Sequence, residues 1–484
     1  MILLLPWIPF LAAFLIMLAP REKEFLHKQI AVTSCAVNFA IVLWLIFHFH
    51  PEVPGYQFAH RYPWIPFLGI HYQVGLDGIN MTLCLLHALV SFTGAIVSCW
   101  PKDRMKEYLC FYLILTGAIY GVFTALDVFQ LYLFYELTLI PLYPMIVIWG
   151  SKNKAYGAMK LTLFITGGAM LALFGILILY RNLGLQSFDL LEMRKNIEIL
   201  PMNPGTVHGL AGIFLVGFGV IASLWPLHSW SPIGYAAAPT SVSMLHAGVL
   251  KKMGPYLMLR LAVALLPDGV HYWANTLAVL SCVGILYAGY AAVKQQDLKF
   301  MIGFSSVSHM GYILLAIAVM NQATLSGAVL LMFSHGVMAA TTFACIGFIY
   351  EQTHARGVND FGGLAKKIPF ISTCLIMASF ASLGLPGFSN FVAELLIFFG
   401  SWSQYPIIVS LAIFGVFITS LYLLRMVKSV CYGAENPRWS LLHDARTIAD
   451  KLPFVILLGA LMLFGFWPQG LLRMIQPAVG ALLS

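Results

Sequence analysis

Runs of about 20 apolar residues, the length that crosses the hydrocarbon core of a membrane, recur from one end of the chain to the other. Fourteen can be drawn: 2–19, 30–48, 80–100, 108–126, 129–149, 158–180, 207–230, 237–264, 272–293, 300–320, 324–349, 369–402, 406–427 and 453–474. They predict an all-α polytopic membrane protein of about 14 transmembrane helices. Two runs carry helix breakers. The twelfth is too long for one plain helix and contains Gly384, Pro386 and Gly387; the seventh contains Pro226 and ends near Pro232. Both are expected to be broken, which a membrane tolerates where neighbouring groups satisfy the freed backbone.

The polar positions between the runs are unevenly charged. Nineteen of the 27 Lys and Arg follow odd-numbered runs, among them Arg21, Lys102, Arg104, Lys152, Lys154, Arg356, Lys366 and Arg446. Five follow even-numbered runs, and Lys251, Lys252 and Arg260 lie inside the eighth. Basic residues concentrate on cytoplasmic loops, so the odd loops are expected in the cytoplasm and both termini outside. One missed run would scramble this regularity. The breaks fall five runs apart, which predicts an internal repeat of runs 4–8 and 9–13. An odd repeat length inverts the second copy, a plan that puts ion sites near the midplane at discontinuous helices. Four regions follow: 1–107 with the first three helices, 108–264 and 265–427 with the two five-helix repeats, and 428–484 with a loop and the last helix.

Composition agrees. The 484 residues are 60% hydrophobic and 10% charged, against roughly 45–50% and about 25% in soluble domains, and the mean hydropathy is +0.86. The net charge of +8 belongs to cytoplasmic loops and does not call for nucleic acid. The opening MILLLPWIPF has no basic n-region and no clear cleavage site, so it reads as a retained first helix. Eight scattered cysteines without a CxxC argue against a disulfide frame, a zinc site or an iron–sulfur site. Residues 217–222, GFGVIA, imitate a dinucleotide fingerprint. They lie inside an apolar run with no strand before them, so the context fails. There is no P-loop, HExxH or CxxCH, and no cofactor is expected in this chain.

The candidate chemistry is the set of ionisable residues inside the runs, since such groups are costly in a membrane and by default functional. Lys251 and Lys252 sit in the eighth run, shortly after His246. Successive helical positions point about 100° apart, so one lysine is expected to face the bundle interior while the other snorkels or meets a carboxylate. Desolvated lysine is a usable proton carrier. Glu136 is mid-run in the fifth segment, readable as a proton-relay or charge-coupling carboxylate or as a structural hydrogen-bonding group. His309 in SSVSHMGYI and His335 in FSHGVMAA can pass a proton through either ring nitrogen, with Ser305, Ser306 and Ser308 placed to hold water beside His309. Glu394 lies just past the Pro386 break, where open helix ends bind ions or water. His246 alone reads equally as a packing histidine. Together the seven predict a proton wire.

These motifs resemble the antiporter-like membrane subunits of NADH-quinone oxidoreductase, respiratory complex I. The segments are YQVGLDGINM (72–81), FYELTLIPLYPMIVIWG (134–150), WPLHSWSP (225–232), APTSVSMLHAGVLKKMGPYLMLR (238–260), DLKFMIGFSSVSHMGYI (297–313), FSHGVMAATTF (333–343) and LGLPGFSNFVAE (383–394). The resemblance covers nearly the whole chain. It implies fourteen helices with two inverted five-helix repeats and proton pumping driven by a redox arm. NAD, FMN, iron–sulfur clusters and quinone would then be held by partner subunits. The implied partners are other antiporter-like subunits and the peripheral arm, in the bacterial inner membrane. By motif, Glu136 matches the family's fifth-helix glutamate, Lys252 its eighth-helix lysine, His309 and His335 its histidines. Glu394 matches a twelfth-helix glutamate that marks one branch, where others carry lysine.

The chain departs from the family at one place. The resemblance implies a lysine on the broken seventh helix, at the position of Ile221, yet no Lys, Arg, Asp or Glu occurs between Ile199 and Leu250. Lys251, where that branch has leucine, is expected to have moved the lost charge to the eighth helix, helped by His246 and paired with Glu136. Two other functions share this module: a subunit of a multi-subunit cation/proton antiporter or membrane-bound hydrogenase, and a scaffold that moves no proton.

Overall fold

The computed structural model describes residues 1–53, 55–100, 103–184 and 187–484, so Lys102 of the third loop lies outside the described residues. Two helices open the chain, α1 (Leu4–Leu18) and α2 (Glu24–Phe47), followed by an antiparallel hairpin of β1 (Gln57–Ile65) and β2 (Ile70–Leu76). Next come α3 (Gly78–Ser98), α4 (Met105–Thr124), α5 (Val128–Trp149), α6 (Lys154–Asn182) and the short α7 (Leu190–Ile199). The seventh and eighth runs form α8 (Pro204–Ala222), α9 (Trp230–Ala237), α10 (Thr240–Gly248) and α11 (Met253–Leu257). Then follow α12 (Pro267–Lys294), α13 (Leu298–Val319), α14 (Gln322–Thr353), α15 (Leu364–Lys367), α16 (Pro369–Ser382) and α17 (Ser389–Trp402). The chain closes with α18 (Pro406–Cys431), α19 (Ile448–Phe466) and α20 (Gln469–Leu483).

Each of the fourteen apolar runs holds helix. Among the described residues, 11 helices are long and apolar enough to cross a membrane unaided. The first, eighth and twelfth runs are shorter or interrupted. The hairpin was not foreseen; it fills the loop between α2 and α3. The last run, expected over 453–474, instead divides at Trp467–Pro468 between α19 and α20. The residue before a proline is sterically pushed out of the helical region, and Trp467 leaves it, with φ −128° and ψ 65°.

Helix starts follow their caps. Asp77, Asp127 and Asp297 each accept two backbone N–H groups at the first turns of α3, α5 and α13, satisfying donors that a helix leaves open. The two expected breaks are present and built alike. The α8 half-helix ends at Ser223, left-handed at φ 62°, with Leu224 N–H reaching Gly219 O at 2.7 Å. The α16 half-helix ends before Gly384, left-handed at φ 65°, with Leu385 N–H reaching Phe380 O at 3.2 Å. In the first break Trp230 Nε1 donates to Val220 O at 2.9 Å, a carbonyl that also accepts the Ser223 N–H at 3.0 Å, so the indole ties α9 to the end of α8.

The eighth run differs from the single helix the sequence suggested. After α10 the backbone tightens into a 3₁₀ turn at Leu250–Lys252, returns to α11, then loosens into a π-turn at Met258–Val263. At the centre of the bundle stands α14, whose most apolar stretch is entirely buried, ringed by α3, α10, α13, α16, α17, α19 and α20. Gly336 makes one of these contacts possible: a Cβ there would lie 2.5 Å from Gly248 O. Small residues let membrane helices approach backbone to backbone, and here they bring the lysine turn up to His335.

Candidate functional site

Both lysines are fully buried. Lys251 Nζ donates to Ser231 Oγ on α9 at 3.1 Å and to Ser306 Oγ on α13 at 3.3 Å. It also lies 5.5 Å from the Tyr235 ring. Lys252 Nζ folds back to donate to Ala247 O. The expectation that one of them would snorkel or meet a carboxylate is therefore corrected: neither has an acidic partner among the described residues. A 3₁₀ turn advances three residues per turn, which throws the two side chains to different sides while leaving both inside the bundle.

From Lys252 a line of ionisable groups crosses the second half of the chain. His335, fully buried on α14, lies within electrostatic reach of Lys252 and His309. The His335 and His309 rings are 5.2 Å apart. His309 Nδ1 is 3.6 Å from Glu394 Oε1, and His309 Nε2 is 3.1 Å from Ser382 Oγ at the end of α16. Gly384 borders Glu394 directly, since a Cβ there would sit 2.6 Å from Glu394 Oε2. The break of the twelfth helix thus supplies both a hydroxyl for His309 and a side-chain-free wall for Glu394.

Each of the serines beside His309 has a protein partner. Ser305 Oγ accepts from Tyr422, Ser306 from Lys251, and Ser308 donates to Ile285 O.

In the first half, His246 lies within electrostatic reach of both lysines, and neither of its ring nitrogens has a side-chain hydrogen-bond partner among the described residues. It faces the rings of Trp230 at 5.5 Å and Tyr235 at 5.2 Å. A cavity of about 10 Å³ is lined by Tyr135, Thr138, Ile221, Trp230, His246 and Lys251, close to the room that one water needs. Ile221 and Lys251 thus border the same space. Glu136 does not join them. Tyr132, one turn back on α5, gives it a side-chain hydrogen bond, and its buried Oε1 has no partner among the described residues. The expected Glu136–Lys251 pair is a correction: Lys251 is turned towards α9 and α13, whereas the half-buried Glu136 is hydrogen-bonded by Tyr132 on its own helix.

Two features escaped the sequence reading. His228, in the break between α8 and α9, is 6% exposed and within electrostatic reach of Lys251 and Lys160. Its WPLHSWSP setting was the available signal. Arg260 forms a buried pair with Asp77 at 2.6 Å, its guanidinium 5.4 Å from the Tyr56 ring and 5.2 Å from the Tyr256 ring. A partner 183 residues away leaves no local signature.

The comparisons with known proteins agree with one another. Residues 125–419 match the family described as NADH:quinone oxidoreductase/Mrp antiporter, TM. The chain is 31% identical over 463 residues to NADH-quinone oxidoreductase subunit M of Rickettsia bellii, covering 96% of this chain and 93% of that protein. It is 37% identical over 448 residues to NAD(P)H-quinone oxidoreductase chain 4 1 of a Synechococcus, covering 89% and 84%. Among solved structures it resembles a chain of respiratory complex I from Thermus thermophilus, with a TM-score of 0.89, 25% identity and full coverage of both.

Proposed function

This chain belongs to the NADH:quinone oxidoreductase/Mrp antiporter family, and we propose that it is the subunit M (chain 4) component of a complex I-type NADH-quinone oxidoreductase. It moves protons across the membrane while partner subunits pass electrons from NADH to quinone. NAD, FMN, iron–sulfur clusters and quinone are held by those partners, and this chain contributes no redox group. The observation that carries the reading is the line Lys252, His335, His309 and Glu394, contributed by the eighth run, α14, α13 and α17, with none more than 4% exposed. Groups of this kind are expensive in a membrane and mark proton relays.

Each member has a task set by its chemistry. Lys251 and Lys252, with His246 beside them, form the central store, where either ammonium can give up a proton. His335 and His309 each accept on one ring nitrogen and release from the other. Glu394 takes the proton at the broken helix, whose open ends favour water and ions. Glu136 stands outside this line as a charge-coupling carboxylate. Two inverted copies, 108–264 and 265–427, account for the matched breaks. They also account for Asp127 and Asp297, which cap α5 and α13 nine residues ahead of Glu136 and Ser306. Fourteen crossings with both termini outside follow from the basic loops.

The test is NADH-driven proton uptake by inverted vesicles from a strain carrying Glu394→Gln, with quinone reduction followed in the same sample. The reading expects protons moved per NADH to fall while electron transfer persists. An unchanged ratio in an assembled complex would refute it.

A further inference from the structure

The half-helix α9 and the first two turns of α13 pack side by side in opposite directions, and three contacts step along the pair. At one end the Lys251 ammonium bridges Ser231 Oγ of α9 and Ser306 Oγ of α13, at 3.1 and 3.3 Å. In the middle Gly303 meets Pro232 so closely that a Cβ at 303 would lie 2.8 Å from Pro232 Cα. At the other end Lys299 Nζ donates at 2.9 Å to the carbonyl of Ala238, the residue that closes α9. Lys299 and Ser306 stand about two helical turns apart, so they share one face of α13.

The far end of α9 is gripped by several groups at once. Its last carbonyls have no following turn to bond them. Ala236 O accepts from Arg356 Nη1 at 2.6 Å and from Ser151 Oγ at 3.0 Å, and Ala237 O accepts the Ser151 N–H at 2.8 Å. Arg356 is itself fixed to the start of α13. Its Nε pairs with Asp297 Oδ2 at 3.1 Å, and its carbonyl accepts the Leu298 N–H at 2.9 Å. Lys299 is 1% exposed and Arg356 9%, and cations at a helix C-terminus suit its dipole. Both arms of the clamp are therefore rooted in α13, which also carries Ser306. The eight residues of α9 span only about 12 Å, so a shift at its clamped end reaches Ser231.

We propose that Lys299 and Arg356 are positioning residues for Lys251: they fix the end of α9, and with it the gap between the two serine hydroxyls that hold the ammonium. Hydrogen bonds to a charged group favour its charged form. Opening the gap withdraws one acceptor and favours release of the proton, and closing it favours capture. The second half of the chain thereby acts on the first-half lysine without touching it. This rests on the reading of Lys251 as a proton carrier. The titratable groups around Lys251 are Lys252, His246, Tyr235, His228, Tyr135 and His335; the substitutions below leave all of them in place.

The test is NADH-driven proton uptake by inverted vesicles, measured against pH with quinone reduction followed in the same sample, for Lys299→Met, Ser231→Ala and the double variant. Loosening the clamp and deleting the hydroxyl it positions should act alike. In each single variant the alkaline fall in protons moved per NADH should shift to lower pH by about one unit, the size of one hydrogen bond to a charged group. The double variant should shift no further. Loss of a nearby positive charge alone would shift the fall the other way, to higher pH. That result, an unshifted profile, a uniform loss of pumping at every pH, or shifts that add in the double variant would each overturn the proposal. If Lys299→Met does not assemble, Ser151→Ala, which takes one hydroxyl and no charge from the clamp, is read by the same criteria. Failure of the underlying reading is distinct: a Lys251→Leu strain that pumps normally shows that Lys251 carries no proton, whatever the clamp does.

Discussion

Replacing Gly384 by alanine separates backbone strain from damage to the relay. Gly384 is left-handed at φ +65°, and a Cβ there would lie 2.6 Å from Glu394 Oε2. The left-handed conformation costs a residue with a Cβ about 1–2 kcal/mol. The contact must also open to an ordinary separation of about 3.5 Å, so the Glu394 carboxylate shifts by nearly 1 Å. Glu394 is only 3.6 Å from His309, and a displacement of about 1 Å at a reacting group costs on the order of 100-fold in rate. Gly184 provides the control, because it is also left-handed, at φ +59°, with nothing within 4 Å of the corresponding Cβ. Both Gly384→Ala and Gly184→Ala should lower the thermal stability of the purified complex by similar amounts. Only Gly384→Ala should lower the protons moved per NADH in vesicles. If the two variants pump equally well, the carboxylate at the break is not the group that carries the proton.

The other predictions follow from single contacts. Lys251→Leu removes a buried ammonium held by two serine hydroxyls; assembly and melting temperature should be kept while pumping is abolished. Normal pumping would mean that Lys251 does not stand in for the charge missing at Ile221. Arg260→Met strands the Asp77 carboxylate and should destabilise the complex by about 3–5 kcal/mol. Adding Asp77→Asn should recover much of the loss in a double-mutant cycle, and strict additivity would refute the pairing. Trp230→Phe removes one of two donors to the Val220 carbonyl, which keeps the Ser223 N–H, and should cost about 0.5–1.5 kcal/mol, seen as a lower melting temperature with the breaks otherwise intact.

The parts of the molecule legible in the sequence are those governed by local rules. Apolar runs marked the helices because a membrane core has one thickness. Pro226, Gly384 and Pro386 marked the breaks because they disturb the helical ladder. His309, His335 and Glu394 were recognisable because charges and titratable rings are rare within such runs, and they do come together. What failed depended on direction. The sequence spacing gave Lys251 and Lys252 divergent headings, but not the 3₁₀ turn that keeps both inside. The partners of the serines after Phe304, Tyr422, Lys251 and Ile285, come from distant elements that the sequence does not point to. The Arg260–Asp77 pair joins distant positions, and no periodicity reports such a contact.

The failed Glu136–Lys251 pair is informative because each group is left unmatched for a different reason. Lys251 needs no carboxylate: two hydroxyls satisfy it, and an ammonium held by neutral groups can release its proton without breaking an ion pair. Glu136 has a lesser accommodation: Tyr132, one turn back on α5, gives it a side-chain hydrogen bond, while its buried Oε1 has no partner among the described residues. A carboxylate and an ammonium that neutralised one another would share a fixed local charge and move together. Separated, they can gain and lose charge independently. Tyr135 and Thr138, on the inner side of the same helix, line the cavity that Lys251 borders. A small shift of α5 driven at Glu136 would therefore be felt at the lysine without direct contact.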